Sequence, residues 1–337
     1  MNDHHPSGRF RALEIQQFGQ PGESLKLVER ESRALGPNEV RLKVMGSPIN
    51  PADVNLIAGT YGVKPDLPAV AGIEGAGEVI ESAQADWQVG DRAMILRGAG
   101  WWAEEVCVAA DDLFRLPAEI DMRQAAMLRV NPATAWQMLR GFESLDAGDW
   151  VVLNAANSGV GRAVIQLAAQ RGLRTVGLVR SAAQISGLEA LGATHVVLDD
   201  SKAVEQVREW VGDQPPRLAL NAVGGESALR LMNVLAASGT LVTYGAMARK
   251  PLKVPNGMLI FKDLRLRGFW VTQWMESLSP EALREMFGEL AQGMIRGQLE
   301  LPVHRVYPLD QYREAIACMM DSGTVGKVIL SPGGLDS

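Results

Sequence analysis

Short apolar runs broken by Gly, Pro and Asp punctuate the chain up to about residue 128, after which the rhythm changes. The first part predicts strands at 11–18, 25–30, 39–46, 76–82, 90–96 and 104–108, the pattern of a small β-rich barrel. Between the third and fourth of these lies a long irregular stretch, Pro48 to Gly72, which holds four prolines and the sequence A-G-T-Y-G-V-K-P around Tyr61. A loop of that length inside a compact domain is more often functional than idle.

After Asn131-Pro132 the period alternates between strand and helix. Strands are predicted near 150–154, 174–180, 195–198, 217–222, 239–244 and 264–270, with helices at about 133–143, 160–171, 182–191, 202–211 and 226–237. Six strands with intervening helices make an α/β fold, a doubly wound parallel sheet. From about 273 an amphipathic helix near 280–296 leads back to a strand-like end at 326–330. There is no internal repeat, low-complexity tract or heptad run.

The stretch W-V-V-L-N-A-A-N-S-G-V-G (150–161) is the sharpest local signal. It predicts a buried strand, a turn of small residues and a helix start, where free N–H groups and the positive dipole end favour a bound phosphate. Only Gly159 and Gly161 remain of the usual three-glycine dinucleotide fingerprint, so a tight turn with no ligand is the competing reading. The second strand, R-T-V-G-L-V, ends in Arg180 with no carboxylate in the place that NAD-binding folds reserve for one. A guanidinium there pairs a 2′-phosphate, which favours NADPH over NADH; an arginine at a solvated strand end is the alternative.

Composition narrows the rest. At 337 residues the chain suggests two domains, and 47% hydrophobic residues suffice for a sizeable core. A net charge of −6 and a pI near 5.4 argue against non-specific nucleic-acid binding. No apolar run approaches the roughly 18 residues of a membrane span. The first ten residues show neither an apolar signal core nor an Arg-rich presequence, so a cytoplasmic protein is expected. The two cysteines, Cys107 and Cys318, lie far apart without metal-ligand spacing and read as inert thiols. His4 and His5 fall in the tail, and His195 and His304 adjoin predicted strands.

Several stretches taken together resemble one family. I-N-P-A-D-V-N-L-I-A-G-T-Y-G (49–62), V-N-P-A-T-A-W-Q-M-L (130–139), N-A-A-N-S-G-V-G (154–161), R-L-A-L-N-A-V-G-G (217–225), L-V-T-Y-G-A-M (241–247) and I-F-K-D-L-R-L-R-G-F-W (260–270) look like the mitochondrial-type 2-enoyl thioester reductases. These form part of the zinc-free branch of the medium-chain dehydrogenase/reductase superfamily, and the resemblance runs from about residue 11 to 330. It implies a GroES-like β-rich catalytic domain, 1–128 and 273–337, split around a Rossmann NADPH-binding domain, 129–272, with the active site in the cleft between them. It also implies a homodimer and reduction of the C2–C3 double bond of trans-2-enoyl-CoA or enoyl-ACP.

Carried over residue by residue, the resemblance gives Tyr61 as the catalytic donor and Asn131 as the asparagine beside the nicotinamide. Asn157, Ser158, Gly159, Val160 and Gly161 form the pyrophosphate turn, and Arg180 the 2′-phosphate site. Tyr244, Gly245, Ala246, Met247, Phe269, Trp270, Val271, Thr272 and Lys327 are implied as further cofactor contacts. Ala182 stands where close relatives often have a second basic residue, and Ala246 where a glycine is common. Asn50, Trp101, Trp102 and Trp274 are candidates for the substrate pocket, with core packing as the alternative for the tryptophans.

Zinc members of the superfamily use a Cys and a G-H-E histidine; the matching positions hold Asn50-Pro51 and Ile73, so no metal site is expected. Conjugate reduction of an enoyl thioester instead needs a donor for the enolate oxygen or C2, which a tyrosine hydroxyl supplies at neutral pH. A basic segment from Arg249 to Arg267 reads either as a docking face for CoA phosphates or an acidic carrier protein, or as a solvated face. Two other functions stay open: a zinc-independent quinone or alkenal reductase, and an NADPH-binding protein without significant turnover.

Overall fold

The last strand of the chain, Lys327–Leu330, pairs antiparallel with Glu39–Pro48, bringing Ile329 opposite Pro48 and Leu330 opposite Ser47. The C-terminal segment thereby completes a sheet begun near the N-terminus, which is why one domain is split in sequence. This computed structural model describes residues 8–321 and 323–335; His4 and His5 lie outside them. Two units result, Met1–Val130 with Met275–Ser337, and Asn131–Trp274.

The first unit is β-rich. A seven-stranded sheet runs in the order Val303–Tyr307, Lys327–Leu330, Glu39–Pro48, Ala76–Ser82, Arg92–Ile95, Leu113–Arg115, with Glu105–Ala109 paired to the other side of Glu39–Pro48. A second sheet joins Arg9–Ile15 to Leu25–Glu31 and to the short Ala69–Val70. Val40, Leu42, Val44, Val79 and Ile95 close one core cluster around Trp101, while Leu13, Ile15, Ile57, Val328 and Leu330 build another around Trp102 and Tyr312. Each fully buried Val, Leu or Ile contributes about 1.5–3 kcal/mol.

The stretch expected to be irregular, Pro48 to Gly72, contains a helix, Pro51–Ile57. Asn50 and Asp53 form a capping box, Pro51 occupies the first turn where its missing N–H costs nothing, and Leu56 and Ile57 are buried. Pro51, one of the prolines that suggested a loop, marks the start of this helix.

The second unit holds a six-stranded parallel sheet in the order His195–Leu198, Arg174–Val179, Trp150–Leu153, Leu218–Asn221, Thr240–Thr243, Arg265–Gly268. Counted along the unit this is 3-2-1-4-5-6, the doubly wound order. Its inner strands are near-continuous apolar runs because helices cover both faces. The order reverses between Trp150–Leu153 and Leu218–Asn221, where Val151 lies opposite Leu218, and ligands of such sheets bind at that switch point. The predicted strand at 264–270 is shorter, because Val271 begins a helix, Val271–Glu276.

Candidate active site

In the second unit the turn after Trp150–Leu153 enters the helix Gly159–Gln170 through a Ser158 N-cap, whose hydroxyl accepts from Gly161 N at 3.1 Å. Ala155 takes a left-handed backbone (φ 47°), and a Cβ on Gly161 would sit 2.5 Å from the Ala156 carbonyl oxygen. The turn is therefore closed too tightly for any side chain at Gly161. A Cβ on Gly159 would meet Asn131 Oδ1 at 2.9 Å, so the structure brings Asn131, buried at the start of the helix Asn131–Arg140, directly over the turn.

Two buried asparagines fix the switch point. Asn154 Nδ2 donates to Asn221 Oδ1 and to Ser227 Oγ, both at 2.9 Å, while its Oδ1 accepts from Ala222 N at 2.7 Å. Asn221 in turn accepts from Gly224 N at 2.9 Å. Sequence reasoning quoted both residues within motifs and gave neither a role; the signal was an Asn directly after an apolar strand, V-V-L-N and L-A-L-N.

Tyr244, Gly245, Ala246 and Met247 follow the strand Thr240–Thr243 and are tied by Tyr244 N to Asn221 O (3.0 Å) and Met247 N to Ala222 O (2.9 Å). The buried Tyr244 hydroxyl lies near Ser158 but makes no hydrogen bond of normal geometry among the described residues, and burial raises its pKa. Arg180 is exposed directly beyond Val179, at the same carboxyl edge of the sheet. Arg162, which the sequence reading did not single out, is half-buried in the first turn of the Gly159–Gln170 helix. Its Nε donates to Asn157 O at 3.3 Å, and burial lowers its pKa. Free helix N–H groups, a cradle that excludes a Cβ, and two arginines without a competing carboxylate at the strand end fit a phosphorylated dinucleotide.

Phe269, Trp270, Val271, Thr272 and Trp274 follow the outer strand. Phe269 and Trp274 join an aromatic cluster with Trp136 and Phe142, with ring centroids 5.7–6.2 Å apart. Most of the basic segment is engaged within this unit: Lys262 donates to Met232 O and Asn233 O, Arg265 meets Glu143, Arg267 lies over Phe142, and Lys253 meets Glu226 at 3.5 Å.

In the first unit Tyr61 is positioned by the end of the Pro51–Ile57 helix. Gly59, in the left-handed region (φ 70°), lets Thr60 N reach Asn55 O at 2.9 Å and Gly59 N reach Leu56 O at 3.1 Å, a Schellman closure. A Cβ there would also strike the Phe18 ring at 2.8 Å. This turn lays Tyr61, partly buried, against the core cluster that Ile73 also touches.

Beside it lies a buried polar network that sequence reasoning missed, because its members are far apart in the chain. Asn50 is the hub: Nδ2 donates to Glu74 at 2.7 Å, and Oδ1 accepts from Lys327 Nζ, which also reaches Ile49 O at 3.4 Å. Glu74 accepts from Val130 N, and Asp53 from Asn50 N and Ile73 N, at 2.8–2.9 Å. Burial pushes the Asp53 carboxyl up to about 7 and raises that of Glu74, and it lowers the Lys327 ammonium.

These placements correct the expectation for two residues: Trp101 and Trp102 are fully buried in two separate core clusters, so they form no pocket wall. Asn50 and Lys327, expected beside substrate and cofactor, are also joined to each other and to Glu74 and Ile49 by hydrogen bonds. Ile73 offers no donor atom and the Asn50 amide is engaged, so the residues at the superfamily's zinc-ligand positions do not fit a zinc ion.

Residues 36–118 match the family model described as the alcohol dehydrogenase GroES-like domain, and residues 159–291 the one described as zinc-binding dehydrogenase. The chain is 41% identical over 335 residues to a Homo sapiens protein named mitochondrial enoyl-[acyl-carrier-protein] reductase, covering 96% of this chain and 89% of that one. Among solved structures, Etr1p in complex with NADP and crotonyl-CoA is similar with a TM-score of 0.89 at 27% identity, over 96% of this chain and 100% of that one. A Bacillus thuringiensis protein described as an NADPH:quinone reductase gives 0.90 at 28%, over 96% and 99%.

The human relative and its counterparts from cattle and rat carry mitochondrial names, which overturns the expectation of a cytoplasmic protein. That expectation rested on a leader pattern missing from the first ten residues, and a missing pattern carries no positive information about compartment. With 41% identity to an enoyl reductase along nearly the whole chain, and with both domain models matched, the chain belongs to the mitochondrial-type enoyl thioester reductases of the medium-chain dehydrogenase/reductase superfamily.

Proposed function

We propose that this protein reduces the C2–C3 double bond of trans-2-enoyl thioesters, enoyl-CoA or enoyl-ACP, with NADPH as the reductant. The observation that carries the reading is Tyr61, a phenol positioned by a Schellman turn, within a loop whose sequence, A-G-T-Y-G, resembles that of the enoyl reductases. Bound NADPH supplies a hydride to C3 of the substrate. Electrons of the double bond then move to the thioester oxygen, and the Tyr61 hydroxyl donates a hydrogen bond to that oxygen or a proton to C2. Ser158, Gly159, Val160 and Gly161 would hold the pyrophosphate at the helix N-terminus, with Asn157 and Arg162 beside it, and Asn131, which stands over Gly159, would orient the nicotinamide. Tyr244, Gly245, Ala246, Met247, Phe269, Trp270, Val271 and Thr272 would complete the cofactor's surroundings, and Trp274 that of the acyl chain.

A homodimer belongs to the same proposal. The outer strand Arg265–Gly268 pairs on one side only among the described residues, and Ile260 and Phe261 just before it are exposed. The test follows NADPH absorbance with crotonyl-CoA, with a quinone, and with neither, on protein whose mass in solution is compared with the 36.4 kDa of one chain. Rapid oxidation by the thioester alone supports the reading. Turnover of the quinone alone would favour a quinone reductase, and a mass of one chain would remove the dimer.

Arg180 carries the preference for NADPH. In Arg180→Glu the KM for NADPH is expected to rise about tenfold or more while that for NADH stays near its starting value, since a bidentate guanidinium–phosphate pair is replaced by a repulsive carboxylate. An unchanged ratio of the two KM values refutes the assignment.

A further inference from the structure

Where the parallel sheet opens at its carboxyl edge, side chains take over from the backbone ladder. The pairing of Trp150–Leu153 with Leu218–Asn221 ends at Leu153 and Leu220. Beyond it the fully buried Asn154 and Asn221 are bonded to each other, Asn154 Oδ1 accepts from Ala222 N, and Asn221 Nδ2 donates to Thr243 Oγ1 at 3.1 Å. The chain of bonds runs outward as well. Ser227 Oγ accepts from Asn154 Nδ2 and donates to Asp199 Oδ2, and Asp199 Oδ1 accepts from Arg230 Nε at 2.6 Å. Asp199 directly follows the strand His195–Leu198, so the bonds reach from one end of the sheet, across the switch point, to Thr240–Thr243. Asp199, Ser227 and Arg230 have no part in the reaction as proposed above.

The bonds have a direction. A carboxylate accepts only, so Ser227 gives its one hydrogen to Asp199 and accepts from Asn154. The Asn154 amide is left with one orientation, its nitrogen toward Ser227 and Asn221 and its oxygen toward Ala222 N. The reverse orientation would set donor against donor at Ala222. That residue supports the turn at 244–247: Met247 N donates to Ala222 O, and a Cβ on Gly245 would meet the same oxygen at 3.0 Å. Asn154 also directly precedes Ala155, whose left-handed backbone opens the phosphate turn.

We propose, resting on the reading of this unit as the NADPH-binding one, that Asp199 and Ser227 are positioning residues for the cofactor: acting through the Asn154 amide, they fix the spacing between the phosphate turn and the 244–247 turn and so preform the dinucleotide groove. A groove that is competent in only part of the population binds with a Kd raised by the inverse of that fraction. A buried polar network with every member satisfied removes that loss by permitting a single arrangement.

The test is calorimetric titration of the full-length protein with NADPH and with NADH, well below the melting temperature, beside steady-state kinetics with crotonyl-CoA. Ser227→Ala cuts the chain of bonds at its middle and is expected to raise the Kd of both nucleotides about fivefold, the scale of one lost buried hydrogen bond. Because the groove serves both nucleotides, the two losses are expected to be equal, unlike that in Arg180→Glu, while kcat at saturating NADPH moves by less than about twofold. Ser227→Thr keeps the hydroxyl and is expected to bring both Kd values back to within about twofold of the unaltered protein. In Asp199→Asn the amide oxygen stays with Arg230 Nε, so the nitrogen faces Ser227, whose hydrogen loses its acceptor; the same rise in Kd is expected. Joined to Ser227→Ala it is expected to add less than about twofold, since the chain is already cut. A lower Tm with both Kd values unchanged in Ser227→Ala marks a purely structural role and overturns the proposal, as does a loss confined to NADPH or a fall in kcat alone. Should Ser227→Ala fail to fold, Asp199→Asn is judged by the same outcomes. Unaltered protein that binds NADPH but leaves crotonyl-CoA unreduced refutes the enoyl reductase reading while the binding arms still decide this one; protein that binds neither nucleotide overturns this one.

Discussion

Tyr61→Phe is expected to lower kcat for crotonyl-CoA by roughly 10²-fold or more, the usual scale of a lost general acid or oxyanion donor. The substitution removes one hydroxyl and leaves the ring, so the packing of residue 61 against the Leu56, Ile57 and Trp102 cluster survives. The Schellman turn that positions the residue uses only backbone groups of Asn55, Leu56, Gly59 and Thr60, none of which the change touches. NADPH binding is expected to stay as it is, because the phosphate turn belongs to the other unit. The check is steady-state kinetics beside a melting curve: an intact Tm with an unchanged kcat removes Tyr61 from the mechanism, whereas a fall in kcat alone places the loss in the transition state.

The parallel sheet was readable because its strands are short apolar runs, V-V-L, V-G-L-V and L-A-L, separated by helical periods of ordinary length. Their spatial order was not, since nothing local in Trp150–Leu153 says that its neighbours are Arg174–Val179 and Leu218–Asn221. In the first unit the prolines between residues 48 and 72 masked a helix whose own signals were present: Asn50 and Asp53 at capping-box spacing, with Pro51 between them. Trp101 and Trp102 show the opposite error. Two adjacent tryptophans among glycines suggest an open wall, yet the two side chains part into different clusters, and each found a core of its own.

The site was legible to the extent that its residues act locally. The turn at 157–161 and the loop at Tyr61 each carry their geometry in a few consecutive residues. The Asn50 network does not, because burial of a charge is decided by partners distant in sequence, 277 positions apart for Lys327 and Asn50. An isolated Lys or Arg in a sequence reads as surface, which is the right default for a residue type that is almost never buried unless paired.

Lys327 is where that default matters most, and Lys327→Met is expected to destabilise the protein by about 3–5 kcal/mol, the cost of removing one partner from a buried charge set. Without the ammonium the Glu74 carboxyl loses the positive charge that favours its ionised form, and Asn50 Oδ1 loses its donor. Adding Glu74→Gln is expected to recover much of the loss. The carboxylate no longer needs a counter-charge, and the Asn50 amide can turn so that its oxygen accepts from the introduced amide, whose own oxygen keeps the bond from Val130 N. The resemblance implies instead a cofactor contact for Lys327, and urea titration beside NADPH kinetics separates the two roles. A network lysine lowers the unfolding midpoint, leaves the KM for NADPH within about twofold and is rescued by Glu74→Gln, since neutralising the partner removes the unpaired charge. Stability that survives while NADPH affinity falls would return Lys327 to the cofactor.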